Sequence, residues 1–169
     1  TMVATRLGAT ALIGEAATES AVASRAGSAD LLYFASHGVA DESNPLDGGF
    51  LALAADSADG KWTAREIQHA RYDGAGLAVL SACQTGRGMA HDGGIIGLAR
   101  AFHLAGVRRV MMSLWDVDDA GTYELMCRMF GHLNEDFPAE ALRKAMLEQR
   151  SAGAPASVWA AFTVFGAPG

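Results

Sequence analysis

Leu77-Ala78-Val79-Leu80-Ser81-Ala82-Cys83-Gln84-Thr85-Gly86 begins as an apolar run of strand length and breaks into small and polar residues, with one cysteine at the break. Gly86, Gly88, Gly93 and Gly94 follow before a helical pattern opens at Ile95. The order is strand, cysteine-bearing loop, helix. Leu31-Leu32-Tyr33-Phe34-Ala35, followed by Ser36-His37-Gly38, has the same layout. Neither run alternates apolar with polar residues, as expected of strands covered on both faces. Two buried strands each end in a reactive side chain.

The flanking segments extend this pattern. Residues 7–13 read as a short strand, and Ala16 to Arg25 as a weak helix closed by Gly27. Asp41 to Gly49 is loop, broken by Asn44-Pro45 and Gly48-Gly49. Phe50–Ala54 reads as a strand, Asp59-Gly60 as a hairpin turn, and Lys61-Trp62 as its return. Thr63-Ala64-Arg65-Glu66 has capping-box spacing, which predicts a helix to about Arg71. Ile95 to Ala105 is apolar nearly all round, with Arg100 and His103 on one face, which predicts a helix sandwiched rather than lying on the surface and stopped by Gly106.

Val107 to Leu114 reads as a third strand, closed by Trp115-Asp116-Val117-Asp118-Asp119. Ala120 to Leu133 reads as a helix with Tyr123, Met126, Phe130 and Leu133 on one stripe, capped by Asp118 or Asp119. Pro138 opens a helix to about Arg150, and Trp159 to Phe165 is a last strand. Strand alternating with helix implies an α/β domain whose mainly parallel sheet has helices on both faces.

The 169 residues suit a single domain with a core of its own. The net charge of -6, with 13 scattered Lys and Arg, argues against a nucleic-acid surface. No apolar stretch approaches the roughly 20 residues of a membrane span. Two cysteines make no disulfide framework, so a reducing, cytoplasmic setting is expected.

In an open parallel sheet, ligands gather outside the carboxyl ends of the strands. Parallel neighbours would bring His37 and Cys83 to one edge. A free thiol is mostly protonated at neutral pH, and an imidazole in reach takes that proton and later returns it to a leaving amine. Gly38 leaves its N–H open to a substrate carbonyl, and the Cys83 N–H sits at a strand-to-loop break. Two such donors make an oxyanion hole, where each donor is typically worth about 10²–10³ in rate. No cofactor or metal is needed for this chemistry, and no two histidines have metal-ligand spacing.

Six blocks, in order, resemble the CHAT domain family of caspase-like cysteine peptidases related to separase. They are Phe34-Ala35-Ser36-His37-Gly38, Asn44-Pro45-Leu46-Asp47, Leu80 to Gly86, Ile96 to Phe102, Ala105-Gly106-Val107-Arg108, and Ser113 to Asp119. The interval from His37 to Cys83 is also close to the roughly 50 positions by which histidine precedes cysteine in caspases. The resemblance implies a three-layer caspase-type fold, cleavage of protein or peptide substrates, His37 as base and Cys83 as nucleophile. It also implies an upstream helical-repeat region that controls the peptidase, and a first strand or helix ahead of Thr1. Separase-like relatives prefer a basic residue before the cleaved bond. Trp115 with Asp118 or Asp119 would hold such a side chain by charge and cation–π contact. One departure stands out: the family's acidic residue before the helix-opening glycine is replaced by Gly93, with Asp92 displaced by one.

Plainer readings stand beside these. Cys127, among Tyr123, Met126 and Phe130, is expected in the core. His91 is a rival base. His69 and His103 are expected on solvated helix faces, and His132 near a helix C-terminus. The acids at 118 and 119 serve equally as helix caps. A catalytically silent caspase-like module that binds partners is the alternative function. A nucleotide-binding domain is a third, weakened because Gly86-Arg87-Gly88 lacks the third glycine of a dinucleotide fingerprint.

Overall fold

A computed structural model describes residues 2–39, 41, 43–81, 92–115 and 117–167, with the side chains of residues 2 and 92–96 left aside. Its centre is a four-stranded sheet of β1 (Leu31–Phe34), β5 (Leu77–Leu80), β6 (Arg109–Ser113) and β7 (Phe162–Gly166), in that spatial order. β1, β5 and β6 run parallel, and β7 returns antiparallel to β6. A second, antiparallel sheet joins β2 (Gly38–Val39), β3 (Phe50–Ala52) and β4 (Lys61–Thr63). The predicted α/β architecture, a mainly parallel sheet flanked by helices, is what the chain adopts.

All four residues of β5 are buried, and they divide between the two faces. Ala78 and Leu80 pack with Phe34, Trp62, Phe102 and Met112, on the face covered by α2 (Glu19–Ala26), α3 (Ala64–His69), α4 (Asp92–Leu104) and the second sheet. Leu77 and Val79 pack with Met111, Met126, Phe130 and Leu142, on the face covered by α5 (Asp119–His132) and α6 (Pro138–Ser151). A strand with solvent on neither side has no reason to alternate, which is why the run reads as uniformly apolar.

The capping box at Thr63 forms as predicted. Its hydroxyl accepts from the Glu66 N–H at 3.2 Å, and the Glu66 carboxylate accepts from the Thr63 N–H at 2.8 Å. Gly106 does stop α4. It takes φ +105°, its N–H donates to the His103 carbonyl, and the Val107 N–H donates back to Phe102, closing a Schellman motif.

Several boundaries depart from the sequence reading. No strand forms over residues 7–13. Helix α1 (Met2–Arg6) ends there in a second Schellman motif, with Gly8 at φ +63°, Gly8 N–H to Thr5 O and Ala9 N–H to Ala4 O. Leu7 and Ile13 stay exposed, and of the run's large apolar residues Leu12 packs against the core. Helix α2 starts only at Glu19, because the Thr18 hydroxyl caps it by accepting from the Ala21 N–H, and Gly27 after it keeps a right-handed φ of -63°. Helix α4 buries Leu98, Ala99, Ala101 and Phe102 and keeps a solvent face at Arg100 and Leu104, so it is covered on part of its circumference rather than sandwiched. On α5 the buried stripe is Leu125, Met126, Met129 and Phe130, and Tyr123 is exposed. Trp159 belongs to a short helix α7 (Ala156–Trp159) that follows Pro155, so the last strand begins only at Phe162.

Candidate active site

The register pairs Leu31 with Leu77 through to Phe34 with Leu80, so β1 and β5 finish level at their carboxyl ends. The Ser81 N–H then donates to the Phe34 carbonyl at 2.9 Å, carrying the pairing one residue past the strand. β6 finishes beside them, with Leu80 opposite Met112. The three parallel strands therefore deliver their following segments to one edge of the sheet. Those segments begin with Ser36-His37-Gly38, Ser81 and Leu114-Trp115. Cys83 and His91 lie outside the described residues, as does Asp116; Asp92 opens α4, with its side chain left aside.

His37 is exposed, and its backbone is fixed from the second sheet. Its carbonyl accepts from the Ala52 N–H at 2.7 Å, and Gly38 opens β2 opposite Leu51. Gly38 is buried. Thus a strand pair of two residues, too short to announce itself in sequence, sets the direction in which His37 leaves the sheet. Beside it, the Ser36 hydroxyl oxygen is buried with no hydrogen-bond partner among the described residues. Below, burial pushes the Tyr33 phenol up, against a hydrogen bond to the Ser81 side chain that pulls it down.

After β2, Asp41 and residues 43–49 are tied together by side chains. The Asp41 carboxylate accepts from the Ser43 hydroxyl at 2.6 Å and from the Ser43 and Asn44 N–H groups, which holds it below its usual range. Arg65 on α3 grips Asp47 with two guanidinium nitrogens, and the Arg65 N–H donates to Leu46 O at 2.9 Å. Gly49 is required by packing: a Cβ there would stand 2.8 Å from the Pro45 carbonyl.

At the end of β6, Trp115 is partly exposed, and its indole N–H donates to Ser157 O at 2.7 Å. Asp118 is the N-cap of α5, accepting from the Gly121 N–H at 2.8 Å, and Asp119 is exposed in the first turn. The cap that the sequence left open between two acids is Asp118. Beneath, the fully buried Gln149 donates its amide to Gly121 O at 3.0 Å. This brace from α6 and α7 was not legible in the sequence, since its bonds end on backbone carbonyls.

The remaining candidates separate. His69 is exposed, whereas His103 is half-buried with Nδ1 2.8 Å from Val107 O, and so departs from the solvated face expected of it. His132 lies 2.7 Å from Glu148 near the end of α5. Cys127 is half-buried rather than enclosed. No described helix is long and apolar enough to cross a membrane.

The family model for the CHAT domain matches residues 1–167. This chain belongs to the CHAT domain family. It is a caspase-like, peptidase-related module on a three-layer α/β frame. No curated protein matches it. The CHAT match takes in all six blocks quoted above. In the fold, the described residues of five of them fall at the carboxyl edge (Phe34 to Gly38; Ser113 to Trp115 and Val117 to Asp119), on the braced loop (Asn44 to Asp47) and along α4 and its stop (Gly97 to Phe102, Ala105 to Arg108), while the block Leu80 to Gly86 lies outside the described residues beyond Ser81.

Proposed function

We propose that this CHAT domain is a cysteine endopeptidase in which Cys83 is the nucleophile and His37 the base. One observation supports it most: β1 and β5 are parallel neighbours that end level, and the two candidates follow their strands by the same interval. Adjacent strands lie about 4.8 Å apart, so side chains leaving both ends need little reach to meet.

The chemistry follows from the residue types. The His37 imidazole takes the Cys83 thiol proton, and the thiolate attacks the scissile carbonyl. The N–H groups of Gly38 and Cys83 hold the oxyanion of the tetrahedral adduct. Imidazolium then protonates the departing amine, and water, deprotonated by His37, hydrolyses the thioester. Trp115 and the acids Asp118 and Asp119 favour a basic residue before the cleaved bond. Of the two acids, Asp119 is the better candidate for substrate, because the Asp118 carboxylate is engaged at the helix cap.

Alkylation by iodoacetamide near neutral pH, read peptide by peptide, tests this with Cys127 as the internal comparator. Cys83 is expected to label fast, and at least ~10-fold more slowly in His37→Ala, because a paired histidine raises the thiolate fraction. Equal, slow labelling in both proteins would favour the silent module. A peptide series without preference for Arg or Lys before the cut would remove the basic-residue specificity and leave the dyad standing.

A further inference from the structure

The small sheet that follows His37 is clasped to the N-terminal part of the chain at Ala17, Thr18 and Glu19. Thr18 bridges Ala54 in parallel, and the Ala54 N–H donates to the Ala17 carbonyl at 2.9 Å. Glu19, in the first turn of α2, is only 8% exposed, and its Oε1 accepts from the Gly60 N–H at 2.8 Å. Asp56, on the same hairpin, accepts from the hydroxyls of Ser20 and Thr18.

A buried carboxylate is an expensive way to hold a turn, since an unpaired charge taken from water is strongly disfavoured. Burial pushes the Glu19 carboxyl up, the Gly60 N–H opposes this, and Glu66, Asp59 and Asp56 add to the rise. An apolar side chain would fill the same space without that cost. What it cannot do is fix the direction of one N–H in the turn.

That direction matters because of what is attached. Gly60 sits at φ +79° with its carbonyl accepting from the Leu53 N–H at 2.8 Å, and a Cβ there would stand 2.7 Å from Leu53 O. One peptide further, the Ala52 N–H holds the His37 carbonyl, and Leu51 pairs with Gly38. We propose that Glu19 is a positioning residue for His37, acting through Gly60 and the β3–β4 hairpin; its catalytic meaning rests on the peptidase reading above.

The experiment compares wild type, Glu19→Leu and Glu19→Gln by the His37 Cε1–H proton resonance, assigned by its loss in His37→Ala, and by cleavage of peptides carrying Arg or Lys. In Glu19→Leu the resonance is expected to move, and kcat to fall about tenfold or more with KM within about twofold, as misplacement of a catalytic group does. Glu19→Gln keeps an acceptor at Oε1 and is expected to restore both. A folded Glu19→Leu protein with the His37 resonance unmoved overturns the proposal. Should Glu19→Leu not fold, Glu19→Asp, whose carboxylate is one methylene short of Gly60, is read the same way. A wild-type protein that cuts no peptide would defeat the peptidase reading, while the resonance still decides the positioning.

Discussion

Gly121 occupies the third position of α5 with no room for a side chain. A Cβ there would meet Val158 Cγ1 at 2.4 Å and the Asp118 carboxylate at 3.1 Å. Two effects oppose each other in Gly121→Ala. Helix propensity favours alanine by about 1 kcal/mol, while overpacking costs about 1–3 kcal/mol. The clash is with a β-branched side chain on another helix, so overpacking should win and the variant should be destabilised by about 1 kcal/mol in urea unfolding. In a Val158→Ala background the clash with α7 is gone and only the 3.1 Å approach to the Asp118 carboxylate is left. There the same substitution is expected to change sign and stabilise by up to about 1 kcal/mol. Destabilisation in both backgrounds would mean that the glycine serves the backbone of the Asp118 cap rather than the contact with α7.

At the scale of elements, the clasp between α2 and the β3–β4 hairpin contains two carboxylates with opposite pH behaviour. Hydrogen bonds from the Ala58 N–H, and then from Ser20 and Thr18, hold Asp56 down at about 2. A depressed carboxyl stabilises the fold above its unfolded value near 3.9, and that contribution is lost as pH falls through about 2. Glu19 is raised, so its proton favours the folded chain, and stability falls as pH rises from the unfolded value of 4.5 through the raised folded one. Asp56→Asn should therefore be less stable than wild type at neutral pH, with the gap closing toward pH 2. Glu19→Gln should be more stable than wild type at neutral pH, with the gap closing below 4.5. Urea midpoints across pH 2–8 check both signs. The clasp was invisible in the sequence because its bond from Glu19 to Gly60 joins residues 41 positions apart. By contrast, the Thr63–Glu66 box and the Gly106 stop were legible, because each is a local pattern with one physical solution. The strand expected over residues 7–13 failed for a related reason. Gly8 after five helical residues completes a local helix ending, and a short apolar run cannot override it.

For the whole molecule, what the sequence made plain is the burial of β5, since a strand with no solvent face cannot alternate; in β1, at the sheet edge, Leu32 and Phe34 are buried and Leu31 and Tyr33 only partly so. From it came the level strand ends and the edge where His37 stands. Strand order and the antiparallel return of β7 depend on pairing between distant segments, and only coordinates supply them. The parallel sheet, α4 and the small sheet come together around Phe102 on α4. Its ring is fully buried, 5.7 Å from Phe34 at the end of β1, 5.9 Å from Trp62 on β4 and 6.2 Å from Tyr72. One side chain thus touches the parallel sheet and the small sheet that directs His37. Phe102→Ala should cost about 3–5 kcal/mol, the range for deleting a buried ring, out of the roughly 5–15 kcal/mol that holds a domain. Phe102→Leu keeps most of the volume and should cost about half as much or less. If the two sheets form one cooperative unit, Phe102→Leu will unfold in urea with a single midpoint, the same by far-UV circular dichroism and by tryptophan fluorescence. Separate midpoints would mean that the small sheet melts on its own. His37 would then be carried by a part of the molecule that opens while the parallel sheet stays folded.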